Sequence, residues 1–169
     1  DISDFELEGM SIRDSLLDYV SEMQIQNNIK DYTFKNDKFY AIDFDDIIPS
    51  KIYEGIGIYL KKNDKKYIIY GISGLLKMEF NISECYPKLD NVANEFDQLF
   101  PNARILEQNE PHEGDVSGKS MVKSIYYIFP SGDHASAECY DWSNEMNYWD
   151  NFRISVITEE FDNWITSNF

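Results

Sequence analysis

Basic residues are scarce in this chain. Fifteen Lys and Arg face 31 Asp and Glu, a formal net charge of -16. Such a field repels phosphate backbones and anionic lipid surfaces, and no basic stripe offsets it, so nucleic acid is excluded as a partner. The basic residues that do cluster, Lys61, Lys62, Lys65 and Lys66, flank Asn63-Asp64 and read as the solvated tip of a hairpin. Long apolar runs are also missing. No stretch reaches the 18 or so residues that a membrane-spanning helix needs, so the sequence predicts no membrane span. Only two histidines are present, His112 and His134, and neither belongs to the i, i+4 pair of a helical zinc signature. No metal and no cofactor is expected. Cysteine is equally sparse: Cys85 and Cys139 permit one disulfide without demanding it.

What the chain has is apolar and aromatic material. Aromatics reach 15%, far too many for a disordered segment. A length of 169 residues suits one domain, 1–169, with one well-formed core. The acidity reads as solubility, or as adaptation to a salty medium that screens charge.

The pattern along the chain predicts an α+β fold. Ile2, Phe5 and Leu7 suggest an extended arm. Ser11 and Asp14 resemble a helix start, and Ile12, Leu16, Tyr19, Val20 and Met23 follow at helical spacing, which predicts a helix over 12–20. Ser21 with Gln24 marks a second cap, so the helix restarts toward Ile29. A short strand follows at Phe39 and Ala41. In the next run Ile52, Ile56, Ile58 and Leu60 fall on one side, with Tyr53 and Tyr59 on the other. Tyr67 to Ile72 returns from the Asn63-Asp64 tip, and Gly71 and Gly74 mark a bulge or bend. Pro87 opens a second helix with a stripe of Leu89, Val92, Ala93, Phe96 and Leu99, which Pro101 stops. Strands are expected near 103–107, 121–129, 134–142 and 152–157, with a long polar loop over 108–119 and another over 143–151. Thr158 caps a last short helix carrying Phe161, Trp164 and Ile165. Short turns between strands imply a largely antiparallel sheet, with the helices packed on one face. The order also suggests two helix-then-meander halves, with Tyr67-Ile68-Ile69-Tyr70 matching Tyr126-Tyr127-Ile128-Phe129.

The chemical motifs are weak. Gly114 to Ser120 ends in Gly-Lys-Ser, but three residues separate its first two glycines where a P-loop has four, and a strand follows it where a helix is needed. His112, Glu113 and Asp115 share a loop, and Asp133 and His134 share a turn; both groups read as solvated polar residues. Asp43, Asp45 and Asp46 lack the glycine of a calcium loop and read as a strand end. Ser131-Gly132-Asp133-His134 places serine, aspartate and histidine on one turn, where they point apart, whereas a catalytic triad is assembled in space. With 31 acids, no carboxylate pair is singled out for glycoside cleavage. The most distinctive feature is aromatic: Tyr140, Trp142, Tyr148 and Trp149 cluster around one loop and are the candidate ligand-binding residues. A plug for the end of the sheet is the alternative reading.

Glu8-Gly9-Met10-Ser11-Ile12-Arg13-Asp14-Ser15-Leu16-Leu17-Asp18-Tyr19, Asn28-Ile29-Lys30-Asp31-Tyr32, Ser131-Gly132-Asp133 and Asp141-Trp142-Ser143 carry a resemblance over most of the chain. The sequence resembles a group of small uncharacterised proteins of marine bacteria that usually begin with a signal peptide. The resemblance implies export and carries no activity. A first residue of Asp1 fits a chain from which a leader has been removed, and equally a trimmed one. Cys139 shares a strand side with Ala135 and Ala137, and Cys85 lies just before the Pro87 helix. The two sulfurs are expected either to meet across a helix–sheet contact or to stay buried as free thiols. The reading is an exported, non-enzymatic binding domain, periplasmic or secreted, for a protein or small-molecule partner. The rival is a hydrolase built from dispersed carboxylates with His112 or His134.

Overall fold

The computed structural model describes residues 2, 5–30, 38–78 and 81–167. Asp31 and Tyr32 of the quoted motifs lie outside the described residues. One antiparallel sheet organises the chain. Its strands are β1 (Ile29–Lys30), β2 (Phe39–Asp43), β3 (Gly55–Lys61), β4 (Ile69–Lys77), β5 (Arg104–Pro111), β6 (Met121–Ile128), β7 (His134–Asp141) and β8 (Asn151–Ile157). The strand order is β1-β2-β3-β4-β8-β7-β6-β5. The sheet is therefore two meanders joined through the antiparallel β4–β8 pair. A helix precedes each meander, α1 (Glu22–Asn27) the first and α2 (Cys85–Leu99) the second. The two similar runs do not correspond, because Tyr67–Tyr70 leads into the fourth strand of its meander and Tyr126–Phe129 ends the second of its own.

Strand alternation gives the sheet two different faces. Ile58, Ile72, Val156, Ala135 and Tyr127 stand on the first, linked through successive registers. This face carries the main core. α2 buries Cys85, Leu89 and Phe96 against it, intervals of four and seven residues, one and two helical turns, that keep one stripe inward. Leu99 is exposed although it continues the sequence stripe. The helix begins two residues before Pro87. The proline still sits in the first turn, where the missing N–H has no intrahelical partner to lose. Ala135 and Ala137 leave room for α2 to approach β7. Cys85 and Cys139 are joined there in a disulfide, with their Cα atoms 5.9 Å apart.

Residues 12–20 do not form the predicted helix. Ile12, Leu16 and Val20 are buried as their spacing suggested, but the chain lies along the end of β4 with only a short 3-10 turn at Leu16–Asp18. The Arg13 and Leu16 N–H groups donate to the Ile69 and Tyr67 carbonyls, and Arg13 adopts φ 74°. Those hydrogen bonds to the entry of β4 take the place of a continuous i→i−4 ladder. Met23, the last position of the supposed stripe, is 74% exposed. The restart is real: Ser21 and Gln24 form a reciprocal capping box at the start of α1. Ile2, Leu7 and Met10 are buried in the core instead of lying on an extended arm, and Phe5 meets Phe96 edge to face at 5.3 Å.

Two further expectations change. Ile52 is exposed and Tyr53 packs against the core, because β3 begins only at Gly55 and alternation does not reach back to them. Gly74 seats that tyrosine: a Cβ there would lie 2.7 Å from Tyr53 Cδ1. Gly71 likewise lies under Tyr59, and the pairing slips by one residue beside it.

The second face holds α3 (Glu159–Thr166). The expectation of helices on one face therefore fits α2 and does not fit α3. Thr158 caps α3 through Phe161 N, and Phe161 and Trp164 pack on Phe39. Tyr59 stacks on Phe161 at 4.5 Å. This cluster covers one end of the second face, and farther along that face α3 borders a cavity.

Candidate functional site

Small side chains cross the middle of the second face. Gly57, Ser73, Ser155 and Ser136 are successive partners across β3, β4, β8 and β7. The neighbouring row holds Leu75, Arg153, Glu138 and Ser124. A concave surface forms where large residues stand beside small ones. Its main cavity, about 790 Å³, is bounded by Arg153, Glu138 and Tyr140 below, by Gln108 and His112 on one side, and by Ile165 of α3 on the other. A smaller cavity of about 310 Å³ adjoins it, and Arg153 lines both.

Hydrogen bonding fixes the floor. Glu138 is buried, and each carboxylate oxygen has a hydroxyl donor: Ser136 Oγ at 2.8 Å on Oε1 and Tyr140 Oη at 2.6 Å on Oε2. Burial first, then the nearby Glu138 charge, pushes the Tyr140 hydroxyl pKa up, so it stays a donor. Tyr126, on the same face, is pushed up to about 12 by burial and by Glu138. The Arg153 guanidinium lies 4.6 Å from the centre of the Tyr140 ring, a cation–π contact.

The four aromatic residues singled out in the sequence do not all come together. Tyr140 and Trp142 stack at 5.7 Å, and Tyr148 meets Trp142 edge to face at 5.1 Å. His112 joins them, 4.5 Å from Trp142 and 5.9 Å from Tyr140. Trp149 is 56% exposed and makes no ring contact with this group among the described residues. Tyr140 alone of the four lines the cavity. Arg153 and Glu138 were missed. Their signal was an Arg and a Glu inside otherwise apolar or small-residue strands, at positions that strand alternation turns away from the core.

Two polar junctions hold the walls. β5 runs on to Pro111, farther than the sequence suggested, so the loop before β6 is shorter than expected. Asp115 anchors it, accepting from Ser120 N at 3.0 Å, Ser120 Oγ at 2.6 Å and Ser143 Oγ at 2.8 Å on one oxygen, and from Ser117 N at 2.9 Å on the other. These bonds, those of Ser120 foremost, hold its carboxyl well below the usual range. The Gly-Lys-Ser stretch is thus the pinned end of a β-connection, with Lys119 paired to Glu145. Asp133 forms the second junction, bonding Arg13 Nη1 at 2.5 Å, Ser131 Oγ at 3.0 Å and Glu159 N at 3.0 Å. Burial raises the Asp133 pKa, but the Arg13 hydrogen bond and its companions outweigh it and the net shift is down. His134 is buried beside Tyr126, and burial lowers its pKa. Ser131 of this turn bonds Asp133, while His134 turns to Tyr126, so the three do not form a relay. Asp43 and Asp46 share Lys30, and Asp45 accepts from Ile56 N at 2.7 Å, so that acidic group anchors a strand end.

No protein family profile, no curated protein and no solved structure matches the chain. Among the described residues no helix is long and apolar enough to cross a membrane.

Proposed function

We propose that this is a non-enzymatic binding domain that works outside the cytoplasm and takes a small ligand in the cavity on the second face of its sheet. One observation carries the reading. A concavity of about 790 Å³, within the usual range for ligand pockets, combines an aromatic wall at Tyr140 and His112 with a few convergent polar groups at Arg153, Glu138 and Ser124. The hydrolase reading is less well supported. Glu138 already accepts a protein hydroxyl on each oxygen, and no second carboxylate stands paired with it as an acid–base couple among the contacts of the described residues. The Cys85–Cys139 bond favours an oxidising compartment, in line with the resemblance to exported proteins.

A fragment screen by protein NMR tests the proposal. Fragments are expected to shift the Tyr140 and Ser124 amides and the Trp142 indole as one group. Hits scattered over the surface would oppose it, and turnover of nitrophenyl esters or glycosides that is lost with Glu138→Gln would favour the hydrolase.

A further inference from the structure

Arg153 is the residue whose surroundings leave most unexplained. It stands on β8 in the open face of the sheet, directly across from Glu138. A guanidinium carries five N–H donors and keeps its charge at any ordinary pH. Burying that charge is costly unless it is paired and hydrogen-bonded. Among the described residues Arg153 makes no hydrogen bond and no ion pair; its one close partner is the face of the Tyr140 ring. Several of the acids around it are committed elsewhere, and Glu110 and Glu113 of the main cavity make no ion pair with it among the described residues. Glu138 gives its oxygens to Ser136 and Tyr140. In the smaller cavity, Asp43 pairs with Lys30 at 3.1 Å, Asp45 caps Ile56 N at 2.7 Å and Glu54 accepts from Lys77 N at 2.5 Å. The donors of Arg153 thus meet the space of two adjoining cavities in an otherwise strongly acidic protein.

We infer that the cavity recognises a small monocarboxylate, whose carboxylate is received by the Arg153 guanidinium. The inference rests on the reading of the cavity as a binding site and adds the class of ligand. The planar fork of Arg matches the two oxygens of a carboxylate, and a charge-assisted bidentate pair supplies both affinity and orientation. A single anionic group suits the site better than phosphate. Glu138, Glu110 and Glu113 outnumber Arg153 at the cavity, so an anion is held by direct contact with this one guanidinium, and each further negative charge adds repulsion without a second cation to offset it. The Tyr140 ring lies against the guanidinium, and a ligand would reach its N–H groups from the two cavities that Arg153 lines. The uncharged body of the ligand then lies between Tyr126, Tyr140 and Ile165.

The chain has three arginines, Arg13, Arg104 and Arg153, so the Nε–H region of a nitrogen–proton spectrum carries three side-chain signals. Arg13→Lys and Arg104→Lys assign two of them and leave Arg153 by elimination. Acetate, added at constant ionic strength, is expected to shift the Arg153 signal saturably, together with the Ser124 and Tyr140 amides. Acetamide, of the same shape without the charge, is expected to leave it in place, and phosphate to act at least about tenfold more weakly than acetate. Arg153→Met is expected to weaken the acetate response of the two amides by at least about tenfold, the loss of one hydrogen-bonded charge pair. An Arg153 signal unmoved by acetate, or moved equally by acetamide, overturns the carboxylate assignment. If neutral fragments still shift Tyr140 and Trp142 in that case, the cavity remains a binding site for another class of ligand. If neither kind of probe moves any of these signals, the binding reading falls as well.

Discussion

Arg153 and Glu138 are direct partners across the β7–β8 pair, yet they do not form the ion pair that their placement invites. The carboxylate turns to Ser136 and Tyr140, and the guanidinium lies over the Tyr140 ring. Tyr140 therefore holds the two charges in separate roles. Removing its hydroxyl leaves Glu138 Oε2 one donor short, and the guanidinium opposite is the nearest replacement. Tyr140→Phe is expected to draw Arg153 into an ion pair and weaken the acetate response. Stability should fall by less than the about 1–3 kcal/mol that a stranded buried acceptor costs. Denaturant melts together with the acetate titration check this. A full stability loss with unchanged acetate response would contradict it.

Leu16 is fully buried although it lies in no α-helix. Leu16→Ala is expected to cost about 2–5 kcal/mol. Met23→Ala, at an exposed site, should cost within about 0.5 kcal/mol. Urea melts of the two variants give the comparison, and similar losses would restore the continuous amphipathic helix that the spacing suggested.

The strands were largely legible in the sequence, and the segment before them was not. The Tyr67–Ile72 and Met121–Phe129 runs read correctly because β-branched and aromatic residues cluster between clear turn residues. Ile12, Leu16 and Val20 misled because spacing of four reports which residues face inward and not how the backbone reaches them. Carbonyls of Tyr67 and Ile69, at the entry to β4, captured the N–H groups that a helix would have used. The site was half legible. Tyr140, Trp142 and Tyr148 announced themselves as aromatics near a loop. Arg153 and Glu138 become partners only when β7 and β8 pair, a contact between residues 15 apart that no local pattern encodes.

The Cys85–Cys139 bond closes a loop of 54 residues, and the chain-entropy relation gives about 4 kcal/mol as the stabilisation lost on reduction, with residual structure in the unfolded chain lowering it. Thiol titration in denaturant without reductant should find none. Two reactive thiols per chain would reject the bond and remove its support for an oxidising compartment.

His134 is buried, and its pKa is lowered chiefly by burial, against the opposing pull of Asp162, Glu138 and Asp133. The unfolded chain, with an ordinary value near 6.5, therefore binds this proton more readily than the folded one. The stability contribution is complete above about pH 6.5 and is lost as pH falls below it. His134→Gln should flatten that part of the stability profile between pH 7 and 5. An unchanged slope would show that other groups set it.

Tyr148 and Trp149 are 61% and 56% exposed, so their joint replacement by alanine should leave the melting temperature nearly unchanged. Because Tyr148 touches Trp142 and Trp149 does not, Tyr148→Ala alone should alter the Trp142 emission. A large loss of stability would make them a plug for the sheet end.

Chemical modification of arginine measures the central claim most directly, that Arg153 stands unpaired in a cavity open to small carboxylates. Phenylglyoxal labelling, followed by peptide mass spectrometry, reports each of the three arginines separately. Acetate at fixed ionic strength is predicted to slow labelling of Arg153 in a saturable way and to leave exposed Arg104 unaffected. Labelling of Arg153 that acetate does not slow, or slows no more than at Arg104, would contradict the account.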